Sequence, residues 1–138
     1  MILEHNKQIA RRYLEQVLGA RDLAELDEIV TPDVILHGAS GKMFAGRDAL
    51  RQILTKNADA IEHTELTIDC ELAERDSVVT VYTSRGLHVA EYHGVAPSGR
   101  EIVVSAANIF VIRDDTIREI RVVMDQLELL RQLRQPAA

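Results

Sequence analysis

Helices first and a long antiparallel meander after them, an α+β plan, is the architecture this sequence predicts. Two observations carry that reading. Apolar residues recur at helical spacing as far as Lys56, and from Leu66 they alternate with polar ones at the spacing of a strand. Turn residues then divide the strand-like stretch into long runs with no helical pattern between them, so βαβ alternation is absent.

The elements follow in order. Ile9, Ala10, Tyr13, Leu14, Val17 and Leu18 form one apolar face of a first helix, which Gly19 can end. Asp22 opens a second helix, with Glu25 at capping-box spacing and Thr31-Pro32 as its stop. Val34 to His37 reads as a short strand, the stretch Gly38–Gly46 as a loop, and Asp48 to Lys56 as a third helix. Leu66, Ile68, Cys70 and Leu72 alternate with Thr67, Asp69 and Glu71, giving one buried and one wet face. Val78 to Tyr92 and Arg100 to Arg113 are long strands joined at Pro97-Ser98-Gly99. After Asp114-Asp115 the strand Ile117–Met124 leads into a short helix carrying Leu127, Leu129, Leu130 and Leu133. Long strands of this kind curl, and a curled sheet closed by helices makes a cone whose mouth is a natural ligand pocket.

Composition bounds the function. At 138 residues the chain fits one domain, expected over 1–135 with a frayed tail at 136–138. Net charge is −6 and no basic cluster exceeds Arg11–Arg12, which argues against nucleic acid or an acidic membrane as partner. Cys70 is the single cysteine, so no intrachain disulfide forms. The N-terminus lacks the apolar stretch of a signal peptide, and no run approaches the ~20 residues of a membrane helix. A cytoplasmic location is expected. The five histidines lack H-x-H, H-x-x-x-H or HExxH spacing, and no phosphate-binding glycine loop occurs. Neither a metal nor a nucleotide or flavin cofactor is implied.

Three segments in order carry a resemblance. RRYLEQVLGARDLAELDEIVTPDVILHG is a helix pair followed by an acidic-proline turn and a histidine-ended strand; RGLHVAEYHGVAPSGREI is a strand and hairpin; DTIREIRVVMDQLELLRQL is a strand, an aspartate and a glutamine-leucine helix. Together they resemble the SnoaL-like polyketide cyclases of the nuclear-transport-factor-like cone superfamily, over nearly the whole chain. The resemblance implies a curved, mostly antiparallel sheet closed by three N-terminal helices, with a short C-terminal helix (a cystatin-like cone barrel). It also implies a cofactor-independent aldol closure of a polyketide ester, with an aspartate as acid and base that corresponds to Asp125. A homodimer paired through the outer sheet face is expected on the same ground. The chain departs from the family at Arg121, where tryptophan is usual, at Asn108, where histidine is frequent, and at Leu87 in the triplet Gly86-Leu87-His88. These departures weaken the expectation of a polycyclic aromatic substrate.

The candidate residues admit competing readings. Asp125 and Glu128 have the spacing of a capping box, whereas catalysis requires Asp125 to sit among apolar side chains. Asn108 lies in the apolar row Val104, Ala106, Phe110, either as a core amide bonded to a neighbour or as a donor to an enolate oxygen. His37 at a strand end and Tyr13 on the inner helix face are candidates to hold substrate, each with a structural alternative. Arg85 would select an anion or ester carbonyl; it and His88, three apart, face opposite sides of a regular strand, so both point inward only with a bulge near Gly86. His63 and His93 read as solvated loop residues. In the last strand, either the apolar face (Ile120, Val122, Met124) or the mixed one (Glu119, Arg121, Val123) can line the pocket.

The leading expectation is an enzyme on a small, apolar, carbonyl-containing substrate: proton abstraction α to the carbonyl by Asp125, then intramolecular aldol closure. The alternative of another class is a non-catalytic module binding a small ligand or a partner chain. Epoxide hydrolysis ranks lower, because the strand bearing Arg85 carries no acid beside it. Enone isomerisation is harder to exclude but ranks lower too, because Gly38 stands near where the isomerases of the same cone superfamily place their base.

Overall fold

The structure, a computed structural model, describes residues 2–135; the expected frayed tail lies outside them. It is a mixed α+β fold in which helices cover one face of a curved, six-stranded sheet. Helix α1 spans Ile2–Arg12 and continues as a π-helical stretch, Tyr13–Gly19. A 3₁₀ turn (Leu23–Glu25) and the one-turn α2 (Leu26–Ile29) follow, then strands β1 (Val30–His37) and β2 (Met43–Ala45) and helix α3 (Arg47–Ala60). The meander is β3 (Ile61–Glu74), β4 (Ser77–His88), β5 (Glu101–Arg113) and β6 (Thr116–Met124), and α4 (Gln126–Arg134) closes the chain. The sheet order is β2-β1-β6-β5-β4-β3, antiparallel except where β1 lies parallel to β6. It does not close into a barrel, since β2 and β3 are edges.

The core lies between the concave face and the helices. Ile9, Ala10, Tyr13, Leu14 and Val17 are buried against Val78, Phe110, Ile112, Ile117 and Ile120. Tyr13 meets Phe110 edge-on, with centroids 5.3 Å apart at 70°. In β6 the apolar residues Ile120, Val122 and Met124 turn inward, and the mixed face turns out.

Several expectations change. The capping box at Asp22 does not form: Asp22 makes no side-chain cap, and the Glu25 carboxylate is taken by Arg12, which also binds Glu28. Pro32 lies inside β1 rather than stopping a helix, at an irregular stretch of pairing between Val30 and Ile35 where a missing N–H is tolerated. The 38–46 loop contains β2, paired with β1. The β3 face is not continuous either. A register shift between Ile68 and Cys70 inverts the alternation, so Leu66 and Ile68 pack on the core while Cys70 and Leu72 are exposed, Leu72 to 63%. Strand β4 ends at His88, earlier than expected, because the chain then folds back over the strand ends.

Candidate functional site

At one end of the sheet β1, β4 and β6 finish and β3 and β5 begin. The ladder pairs His37 with Arg121, Ile61 with His88, and Ala106 with Met124 across this end. Segment 89–100 and α4 lie over it. Leu129 and Leu133 pack with Ile102, and Ile61, Tyr92, Val95, Val104 and Met124 join them. Gln132 fastens α4 to the edge of β5, donating to the Val103 carbonyl and accepting from its N–H, both at 2.8 Å. This is the covered mouth of the cone.

Strand β4 alternates regularly here: Val78, Thr80, Tyr82 and His88 are buried, while Arg85 is exposed. Of the two residues the sequence could not place together, His88 points inward and Arg85 outward. Arg85 pairs with Glu101 at 3.1 Å on the outer face and does not reach the interior, because no bulge interrupts β4 against β5. Gly86 allows a close approach instead: a Cβ there would stand 2.5 Å from Ile61 Cγ2 and 2.8 Å from the Glu62 carbonyl oxygen. His88 is fully buried. Its Nδ1 accepts from the Ser98 backbone N–H at 3.4 Å, which assigns the proton of the neutral ring to Nε2, and Nε2 has no partner.

Asn108 is buried on the concave face, and its Oδ1 accepts from the Tyr82 hydroxyl at 3.4 Å. Thr80, paired with Asn108 in the ladder, is buried with its hydroxyl unpartnered. Burial pushes the Tyr82 phenol up to about 12; nearby Tyr92 adds to this and the bond to Asn108 opposes it. Tyr13 is raised further by burial and by Tyr82. Tyr13 is thus a core residue next to the polar pair, and its phenol stays protonated at neutral pH.

Asp125 stands at the β6–α4 junction and is exposed. Its Oδ1 accepts from the Glu128 N–H at 2.9 Å, so it caps α4 as the spacing allowed. The reciprocal half of the capping box is absent, since the Glu128 carboxylate is held by Arg131 at 2.9 Å. Asp125 therefore lacks the apolar surroundings that its catalytic reading called for. Beside this junction a cleft of about 310 Å³ is lined by His37, Gly38, Ala39, Gly41, Arg121, Val122, Val123 and Met124. His37 is bonded there through Nε2 to Glu119 at 2.5 Å, and both lie on the outward-facing side of the sheet. The structure thus brings His37 and Asp125 to one end of β6, Asn108 to the interior, and leaves Arg85 outside.

His63, read from the sequence as a solvated loop residue, is in β3 and half-buried. Its Nδ1 faces the Ser84 hydroxyl at 3.5 Å and its Nε2 is buried without a partner. A register shift between His63 and Glu65 turns it inward, and no local sequence signal marks that shift. Among the described residues no group of three or more His, Cys, Asp or Glu is placed to hold a metal ion, and no helix is long and apolar enough to cross a membrane.

A family model described as SnoaL-like polyketide cyclase matches residues 8–133. No curated protein matches the chain. Among solved structures, a protein from Jannaschia sp. CCS1 described as a SnoaL-like polyketide cyclase has a TM-score of 0.91 at 22% identity, covering 98% of this chain and 95% of that one. TsrD from Streptomyces laurentii has a TM-score of 0.82 at 26% identity, covering 95% and 96%. An LEH-like epoxide hydrolase from M. tuberculosis has a TM-score of 0.76 at 14% identity, covering 96% and 92%. At such identities the first and third of these are likenesses of fold.

Proposed function

Because the chain belongs to the SnoaL-like polyketide cyclase family, we propose that it is a cofactor-independent enzyme that draws a small apolar carbonyl compound into the mouth of the cone. The observation that carries this reading is the Tyr82–Asn108 pair, buried in the concave face beside the unpartnered Thr80 hydroxyl. A polar pair kept there has a desolvation cost, and a ligand oxygen is a partner that offsets it. The Asn108 amide has N–H donors to offer a carbonyl oxygen, and the bond strengthens as that oxygen gains charge. Proton transfer falls to Asp125, which is exposed in the free protein: its Oδ2 lies outside the cap bond, and the apolar surroundings it lacks would be supplied by the ligand itself. Its carboxylate takes a proton α to the carbonyl, the carbanion attacks a second carbonyl carbon, and the proton returns to the alkoxide. A placed carboxylate contributes about 10²–10⁴-fold, and holding the two carbons in contact supplies the rest.

The exposure of Asp125 and its cap bond favour a second reading, a cone that binds such a ligand without turning it over. Exchange of the α-hydrogens of 1-tetralone in D₂O, followed by NMR, separates the two. The enzyme reading expects exchange above background that falls at least tenfold in Asp125→Asn and in Asn108→Leu, with both variants folded. Asparagine caps a helix as well as aspartate does, so Asp125→Asn removes the base and keeps the cap. Undiminished exchange in Asp125→Asn rejects Asp125 as the base. Tetralone binding without exchange supports the binding module.

A further inference from the structure

Arg21 sits where the π-helical stretch gives way to the 3₁₀ turn, with left-handed backbone (φ 60°). An Arg in this conformation is strained where Gly would not be. Its side chain is nevertheless carried inward, where Nη2 donates to the Ile61 carbonyl at 3.1 Å and Nε is buried without a partner. Arg11, Arg12, Arg47, Arg51, Arg85 and Arg113 each meet a carboxylate; no described carboxylate pairs with Arg21. A half-buried guanidinium with no counter-ion is costly, and an anion relieves that cost.

Its neighbours suit an anion. Arg21 is bonded to Ile61, two residues before His63 in β3; Ile61 belongs to the same packed cluster as Tyr92, and the His63 Nε2 is buried without a partner. Burial first and then Arg21 lower the His63 imidazole, which makes it a neutral donor rather than a second cation. The three groups come from three elements: the end of the first helix, β3, and the segment folded over the mouth. Apolar residues lie directly beneath, with Tyr92 and Ile61 packed on Ile102, Leu129 and Leu133.

We propose that Arg21, His63 and Tyr92 form a carboxylate subsite at the mouth of the cone, so that the ligand is an apolar carboxylic acid rather than a neutral ester. The guanidinium supplies the charge, and the imidazole and phenol supply further N–H and O–H donors. Tyr92 is carried by a segment held at Val89 and Ala90 by bonds to the Ala60 carbonyl and by a bridge between Tyr92 and Val95. The inference rests on the reading of the cone as a site for a carbonyl compound, and it names the group that anchors that compound.

Calorimetric titration with 2-naphthoate and with its neutral counterpart 2-acetylnaphthalene tests it on the full chain at pH 7. Naphthoate is expected to bind at least tenfold more tightly. Arg21→Gln is expected to erase that preference, and Arg75→Gln, at an exposed turn on the opposite end of β3, to retain it. Arg21→Gly guards against a folding artefact, because it relieves the left-handed strain and is still expected to lose naphthoate. Equal affinity for the two probes, or a preference that survives in Arg21→Gln, overturns the subsite. Acetylnaphthalene bound through Asn108 without a preference for naphthoate overturns this inference alone. Naphthoate held by Arg21 without Asn108-dependent binding of the ketone supports the subsite and counts against the catalytic reading. Binding of neither probe overturns both.

Discussion

Replacing Gly86 by alanine tests how closely β3 and β4 approach at the mouth. The added Cβ would lie 2.5 Å from Ile61 Cγ2 and 2.8 Å from the Glu62 carbonyl oxygen. The isoleucine can rotate away; the carbonyl belongs to the backbone and cannot. Restoring an ordinary contact of about 3.5 Å requires β3 to move by about 0.7 Å relative to β4, at the stretch already irregular between His63 and Glu65. Overpacking of this kind costs about 1–3 kcal/mol, and the smaller entropy of the unfolded alanine chain returns about 0.4–1 kcal/mol. Taking the middle of each range, the net expectation is a loss of about 1.3 kcal/mol. It is read from the urea midpoint at unchanged slope, with the melting temperature falling by several degrees. Adding Ile61→Ala separates the two contacts: if the carbonyl dominates, the two substitutions add to within about 0.5 kcal/mol. A Gly86→Ala protein as stable as the parent would refute the reasoning. Strong rescue by Ile61→Ala would assign the clash to the side chain instead.

Three further outcomes are expected. Asp125→Ala should lower stability by about 1 kcal/mol through loss of the α4 cap while Asp125→Asn should not, measured by urea unfolding; equal losses would mean the cap bond is not the source. Tyr82→Phe and Asn108→Leu each remove half of a buried pair and should cost about 1–3 kcal/mol, with the double variant less than additive in a double-mutant cycle; strict additivity would deny the bond. All three tyrosines have phenols raised by burial, so each favours the folded state fully below the unfolded value near 10. That stability should drain away as pH rises above about 10, and absorbance at 295 nm should show phenolate appearing together with unfolding. A tyrosine that ionises at its ordinary value in the folded protein would contradict this burial.

What the sequence determined by itself is the part of the fold written in local periodicity. Ile9 to Val17 at helical spacing, the even-numbered residues of β5 and the leucines of α4 each reveal their buried face, because burial selects one side of a helix or strand. The cap at Asp125 was legible for the same reason, since its partner lies three residues away. Where a distant partner decided, the pattern was silent or misleading. Glu25 has capping-box spacing, yet Arg12 competes for its carboxylate. Cys70 and Leu72 continue an apolar alternation, yet the register shift after Ile68 turns them to solvent, and the one after His63 turns that histidine inward. Arg85 and His88 could be separated by strand parity, but which of them faced inward depended on the whole sheet's packing against α1. Only the tertiary structure gathered Arg21, His63 and Tyr92, because a strand bulge and the fold-over of segment 89–100 join residues that share no local pattern. Bulges and fold-overs are fixed by pairing between strands, and that energy appears only when the partner is in place.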